Sequence, residues 1–360
     1  MQLAAAFKKQ RLIVYAHCQQ LYMKRFFFLA ILLWSANTRA QQAPALKLVT
    51  CEGKAQGTYY LVKYLSADTT SMDKRIDSIF DVIDQSLSLY KPGSAINRFN
   101  ETGHITMDEH LKAVIQKALF TSKATNGLFD ITVKPLVYLW GFGVTKPSFK
   151  GVPPPDSIKA AMSYIGYRYL RVKGNQLYAA KKGVQIDCNG IAQGYTVDVI
   201  GHFLSQQGID NYLVDVGGEL CAKGHNHQHK IWSVGIERPS PGDTTYEPVQ
   251  GLVRLPGKGI ATSGNYRRFF DQGRTRFAHT IHPGTGVALH NNIISVTVIA
   301  KDCFTADAFD NPLILMGVEK GLAYIAQHPE YGLEAIYIYK DRDGAIKEAF
   351  SKGFKAYMEF

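Results

Sequence analysis

The sequence has few cysteines, no long apolar run and, over its first forty residues, no acid. Its five cysteines (Cys18, Cys51, Cys188, Cys221 and Cys303) stand singly among 360 residues, without a C-x-x-C pair. That scatter excludes a zinc ribbon or a thioredoxin-type motif. It suits buried small hydrophobes, although the four from Cys51 onward could pair in an oxidising compartment. The main apolar run is nine residues, Phe26 to Trp34, about half of what a bilayer-spanning helix needs. A polytopic membrane protein is therefore excluded. No internal repeat or low-complexity linker divides the chain, which reads as one continuous domain. A hydrophobic fraction of 46%, with 12% aromatic and 20% charged residues, excludes disorder.

The formal charge of +11 suggests a nucleic-acid binder until it is located. Residues 1–40 hold six cations (Lys8, Lys9, Arg11, Lys24, Arg25 and Arg39) and no acid, which leaves 35 basic against 30 acidic residues afterwards. The remainder favours an anionic ligand but not a surface that tracks nucleic acid. From Met23, two cations precede the apolar run, and small residues lead to Ala40. This is the layout of a secretory signal over residues 23–40, with cleavage after Ala40. The protein is expected to be exported to the periplasm, or to stay associated with the inner membrane if the signal is retained. Residues 1–22 read as an extension or a misassigned start, and residues 41–360 as the catalytic domain. No cysteine lies at the cleavage point, so a lipid anchor is not expected.

Along the mature chain, Leu46–Leu65 reads as a strand pair turning at Gly57. Met72, Ile76, Ile79, Phe80, Ile83 and Leu87 recur at helical spacing behind the candidate caps Thr70 and Ser71. Leu111, Val114, Ile115, Ala118 and Leu119 mark a second helix, and a third runs from about Ile191 to Gln207. Strands are expected at Tyr212–Val216, Ile231–Ile236, Val249–Leu255 and Ile293–Ala300. Helices follow at about Thr305–Met316 and Val318–Gln327, and a closing hairpin turns at Asp343-Gly344. Strands and helices interleave without a βαβ beat, so the class is α+β, a single large mixed sheet with flanking helices.

Five segments are unusually dense in glycine, acid and hydroxyl residues. They are Tyr90–Ser94 running on to Asn97–Asn100, Gly127–Thr132 with Leu139–Gly143, Ile186–Tyr195, Ala261–Arg268 with His279–Gly286, and Thr305–Asn311. Asp307 and Asn311 are four apart and share a helix face, with Asp310 beside them. Hard oxygens of this kind suit Mg²⁺ when a substrate phosphate completes the shell. Glycine turns at Gly190 and Gly264, feeding helix starts, would offer N–H groups to phosphate. Tyr90, Phe129 and Trp140 could supply a flat surface for a ring. Together these features suggest a nucleotide-like ligand with a metal. Three other features are weaker. His225, His227 and His229 read as an exposed loop, Arg267-Arg268 as a solvated pair or a phosphate grip, and Gly217-Gly218 as a tight turn or a close approach to ligand.

The order Y-x-x-x-S, G-x-F-D-x-T-V-x-P-L-V-x-L-W-G-F-G, D-x-x-G-I-A-x-G-Y-x-V-D, V-x-V-G-G-E, A-T-S-G-x-Y-R-R, H-x-I-x-P-x-T-G and A-D-A resembles the FAD:protein FMN transferase (ApbE) family over about residues 50–350. The resemblance implies a domain of the flavin-transferase type. Its activity would be Mg²⁺-dependent transfer of FMN from FAD to a threonine or serine hydroxyl of an exported flavoprotein, with release of AMP. It assigns Tyr90, Leu128, Phe129, Asp130 and Asp187 to FAD, with Ile281 beside the flavin, and Gln193 is taken as a further FAD-binding candidate. It assigns a backbone oxygen at Gly190 and the Asp307 side chain to the metal, to which the helix face adds Asp310 and Asn311 as candidates, and it makes His279 the general base. Four positions depart from the family pattern: Gln56 for methionine, Gln193 for lysine or glutamate, His282 for aspartate, and Asn311 for threonine. Two rival readings are hydrolysis of FAD to FMN and AMP, and an exported flavin carrier without turnover.

Overall fold

The computed structural model describes Met23 and residues 45–144, 151–236, 238–239, 246–247, 251–264, 269–272 and 275–359. Residues 1–22, expected as an extension or misassigned start, and, apart from Met23, residues 23–40, expected as a secretory signal, lie outside the described residues, as do Arg267 and Arg268. The chain divides into two units, Met1–Leu46 and Lys47–Phe360, and the second carries the fold. No helix among the described residues is long and apolar enough to cross a membrane.

The framework is an eight-stranded sheet: β1 (Lys47–Ala55), β2 (Thr58–Ser66), β3 (Tyr212–Val216), β4 (Glu219–Lys223), β5 (Gly259–Gly264), β6 (Ile293–Ala300), β7 (Glu334–Lys340) and β8 (Ile346–Phe350). Spatial order follows chain order, and every pairing within the sheet is antiparallel. The α+β class holds, but the sheet is antiparallel where a mixed one was expected. The interleaved helices sit in long excursions between neighbouring strands, so no crossover is needed to make two strands parallel.

Among the described residues eight helices accompany it: α1 (Asp73–Leu87), α2 (Ala95–Thr102), α3 (Glu109–Ala124), α4 (Lys134–Leu139), α5 (Pro155–Met162), α6 (Ala192–Gln206), α7 (Cys303–Met316) and α8 (Val318–Gln327). The first six, with a small three-stranded sheet, fill the excursion between β2 and β3. α6 packs on β3 and β4, and α7 on β5 and β6. Val197, Ile200 and Leu204 meet Val214, Val216 and Cys303 in one core cluster, while Ala306, Phe309 and Leu313 meet Val296 and Val298 in the largest. The opposite sheet face buries Leu213, Ile260, Ile299 and Ile336 against Trp232, Val253 and Phe354.

Local chemistry explains most of the boundaries, with three corrections. α1 has Met72 at its N-cap position, with no side-chain bond from that residue, and Ser71 serves the helix start from one residue further back, its hydroxyl accepting the Asp73 N–H at 3.2 Å and donating to the Asp73 carboxylate. The polar run Asn97–Asn100 belongs to α2, which Ser94 caps by accepting the Asn97 N–H at 3.3 Å. Gly264 closes β5 instead of opening a helix. The Gly217-Gly218 pair is a two-residue hairpin turn between Val216 and Glu219, with φ of +67° and +104° that side chains rarely adopt.

Candidate active site

The floor of the site is made where α6 and α7 touch. α6 begins at Ala192 without a side-chain cap of its own. The Gly194 N–H instead donates to Asp307 Oδ2 of α7 at 2.8 Å. That contact requires glycine. A Cβ on Gly194 would lie 2.6 Å from Asp307 Cβ and 2.6 Å from the Cys303 carbonyl oxygen. One turn further along α6, Asp198 accepts the Cys303 N–H at 3.1 Å and the Phe304 N–H at 2.8 Å, at the start of α7.

Asp307, Asp310 and Asn311 follow helical spacing along α7 and share one face. Both aspartates are buried, at 4% and 3% exposure. Asn311 Oδ1 accepts from the Ser263 hydroxyl at 3.2 Å and the Thr280 hydroxyl at 3.3 Å. On its other side, a Cβ at Gly190 would lie 3.1 Å from Asn311 Nδ2, so the Gly190 turn rests on this residue. Asp310 Oδ1 is buried and accepts no hydrogen bond from the described residues. Burial raises Asp310 well above the ordinary carboxylate range, and the charges of Asp307 and Glu219 raise it further. Burial raises Asp307 as well, opposed by the Gly194 N–H and reinforced by Asp198. Desolvated carboxylates of this kind are relieved by a proton or a cation. Among the described residues no three His, Cys, Asp or Glu side chains converge as a metal site. A cation here would therefore draw on amide and backbone oxygens together with the carboxylates. Asp307, the orphaned Asp310 oxygen and the adjacent Gly190 turn are a donor set that fits a hard divalent ion.

The wall beside this floor is the loop that carries His279. Its hydroxyl neighbour Thr280 reaches Asn311, and the Thr280 carbonyl accepts the Leu289 N–H at 2.8 Å. His279 is half-buried and lies edge-on to Phe142, ring centroids 6.4 Å apart. Ile281 is buried with Leu136, Trp140 and Ala288, and Trp140 Nε1 donates to the Gly286 carbonyl at 2.8 Å. Trp140 is thus a buried anchor of the loop, not an open stacking surface.

The Leu128-Phe129-Asp130 segment is joined to the Asp187 segment through the Asp187 N–H and the Ile131 carbonyl, 2.7 Å apart. Phe129 belongs to the main core. Asp130 is buried, and its oxygens accept from the Thr132 N–H, the Thr132 hydroxyl and the Tyr167 N–H at 2.8, 2.7 and 2.6 Å. Asp187 accepts the Asn189 N–H at 2.8 Å, which shapes the turn into Gly190. Asn100 pairs with both backbone groups of Ile186, tying α2 to this segment. Tyr90 lies 61% exposed before α2, on a loop whose carbonyls bind Asn97. Gln193 projects toward Thr58 and Gly217, where a Cβ on Gly217 would come within 3.0 Å of its Nε2.

The structure therefore gathers Gly190, Asp307, Asp310, Asn311 and the His279 loop at one place. Asp187 is joined by a backbone bond to Ile131, the residue that follows Leu128–Asp130. Gln56, at φ +52° in the turn between β1 and β2, donates to Thr196 of α6 at 3.0 Å, so this departure contacts the helix that carries Gln193. His282 accepts the Gly284 N–H at 3.1 Å within its turn. His225, His227 and His229 are exposed on a loop. Sequence reasoning missed Ser263 and Thr280, hydroxyls lying inside quoted segments, because only the folded chain aims both at Asn311. It missed Asp198 as a cap of α7 for the same reason.

A model of the ApbE family matches residues 56–337. The chain is 34% identical over 318 residues to the FAD:protein FMN transferase of Vibrio cholerae serotype O1, covering 86% of this chain and 92% of that one. It is 33% identical over 324 residues to that of Escherichia coli K12, covering 87% and 90%. Its fold is similar to the flavin transferase ApbE from Vibrio cholerae, with a TM-score of 0.77, 33% identity, and coverage of 87% of this chain and 99% of that one. It is equally similar to the apo flavinyl transferase ApbE of Pseudomonas stutzeri, with a TM-score of 0.78, 30% identity, and coverage of 88% and 98%.

Proposed function

The chain belongs to the ApbE family, and from that premise we propose that it transfers FMN from FAD to a threonine or serine hydroxyl of an exported flavoprotein, releasing AMP, with Mg²⁺ held by α7. The observation that carries this reading is the buried face of Asp307, Asp310 and Asn311, joined through Thr280 to the loop bearing His279. Mg²⁺ bound there would offset charge on the pyrophosphate oxygens. Asp307 and Asp310 would supply its anionic donors, and the Gly190 carbonyl and Asn311 would supply neutral ones.

The reaction needs little covalent work from the chain. The acceptor hydroxyl oxygen bonds to the FMN phosphorus, the bond from that phosphorus to the bridging oxygen breaks, and AMP leaves with that oxygen. An imidazole nitrogen of His279 takes the hydroxyl proton, an assistance worth roughly 10²–10⁴-fold. Positioning supplies the rest. The loop of Ile281, pinned by Trp140, and the joined Leu128–Asp130 and Asp187 segments would hold the flavin end. Tyr90 and Gln193 would border the ligand.

The test mixes the purified chain with FAD, Mg²⁺ and a candidate acceptor domain. Flavin fluorescence that stays with the denatured acceptor, together with equimolar AMP, is the expected result. AMP without bound flavin would make the chain a hydrolase, and neither product would make it a carrier. The cationic and apolar layout of residues 23–40 supports export, with either release to the periplasm or retention at the membrane surface. N-terminal sequencing of the exported fraction should read from about Gln41 if the signal is cleaved. A cytoplasmic chain beginning at Met1 would remove this part of the proposal.

A further inference from the structure

The two helices that meet at the floor are joined by a reciprocal pair of contacts. A carboxylate of α7, Asp307, accepts a backbone N–H at the start of α6, and a carboxylate of α6, Asp198, accepts two backbone N–H groups at the start of α7. Each acid thus satisfies donors that a helix start leaves without an intrahelical partner. Gly194 lets the backbones approach closely enough for both contacts to form. Asp198 is not needed merely to begin α7. That helix has its own cap, Asp302, which accepts the Thr305 N–H at 2.7 Å and receives the Ala306 N–H on its carbonyl. Lys117 of α3 adds a bond to the Thr305 hydroxyl at 2.7 Å. What Asp198 adds is attachment of α7 to a different helix.

We propose that Asp198 is a positioning residue for the cation-binding face of α7, fixing the register of that helix against α6 and so the place of Asp307, Asp310 and Asn311. The inference rests on the reading of that face as a Mg²⁺ site. A helix held only by side-chain packing can slide or rotate slightly without losing much burial. A carboxylate bonded to two consecutive N–H groups at its end removes that freedom. The Asp307 oxygen is then held against Gly194 while Asn311 stays beside the Gly190 turn. Partners that orient metal ligands in this way typically contribute tenfold to a hundredfold in affinity.

The experiment measures metal binding without turnover. Mn²⁺ serves as the probe, with free Mn²⁺ followed by electron paramagnetic resonance in the absence of FAD, and melting temperatures are recorded beside it. Asp198→Ala should weaken Mn²⁺ binding by roughly tenfold to a hundredfold. Asp198→Asn, which keeps one acceptor oxygen, should weaken it less. Asp302→Ala removes the cap that belongs to α7 itself. It should lower the melting temperature while leaving Mn²⁺ affinity where it was, which separates positioning from ordinary helix stabilisation. Wild-type affinity in Asp198→Ala would overturn the proposal. Equal weakening in the Ala and Asn variants would overturn it too, since charge and not position would then be the cause. A wild-type chain that binds no Mn²⁺ would instead remove the metal reading on which the inference stands.

Discussion

A single side chain at this site is defined by what else claims its atoms. Asp310 has a buried oxygen with no donor among the described residues, whereas Asn311 Oδ1 already receives two hydroxyls. The carboxylates should therefore dominate cation affinity, and the amide should tune it. Asp307→Ala should abolish FAD-dependent AMP release at every Mg²⁺ concentration. Asn311→Leu should only raise the concentration required, and Asn311→Thr should behave like the parent, because a hydroxyl can join the Ser263 and Thr280 pair. A Mg²⁺ titration of AMP release decides, and a normal curve for Asp307→Ala would refute the assignment. His279→Ala should slow transfer by roughly 10²–10⁴-fold while FAD binding persists. Equilibrium quenching of flavin fluorescence checks the second half, and a parallel loss of affinity would make His279 a binding residue. The α7 spacing was legible in the sequence because helical periodicity needs only local information. The engagement of Asp130 with Thr132 and Tyr167 was not, since Tyr167 is distant in the chain.

At the level of elements, the decisive contact is between α6 and α7, and its tolerance for extra volume is small. Gly194→Ala would place a methyl 2.6 Å from the Cys303 carbonyl oxygen, which is backbone and cannot swing away. Overpacking of this kind costs about 1–3 kcal/mol, so thermal denaturation should show a clearly lowered midpoint. An unchanged midpoint would mean that the helices separate freely. Burial, against the two N–H donors, pushes Asp198 up to about 7. An unfolded aspartate ionises near 3.9. Between these values the native state holds a proton that the unfolded chain has lost, so this contribution is complete in acid and is lost as pH rises through 7. Asp198→Asn cannot titrate, so the parent should lose stability relative to this variant between about pH 4 and pH 7. Melting curves that stay parallel across that window would refute the shift. Strand β6 and most of α6 could be read from the sequence, because apolar runs and periodicity mark them. α2 could not, since its polar face resembles a loop, and neither could the all-antiparallel pairing, which depends on partners far apart in the chain.

At the largest scale, the unit Lys47–Phe360 is an antiparallel sheet whose long excursions are brought together over one floor. Family motifs spread along the sequence converge there because β5, β6 and the starts of α6 and α7 pack side by side. The motif order was therefore legible while the convergence was not. Cys51, Cys188, Cys221 and Cys303 are all buried and none is bridged to another. Burial raises each of these thiols above its ordinary value, which keeps the reactive thiolate scarce. Stability that owes nothing to disulfide bonds is indifferent to the redox state of its surroundings. The protein should melt at the same temperature with or without dithiothreitol, and a midpoint lowered by reductant would show that a bridge forms. These thiols should also resist Ellman's reagent until the chain opens and then react together. The rate at which they become modifiable in dilute denaturant would time the opening of the core, giving the protein an internal clock that needs no attached dye.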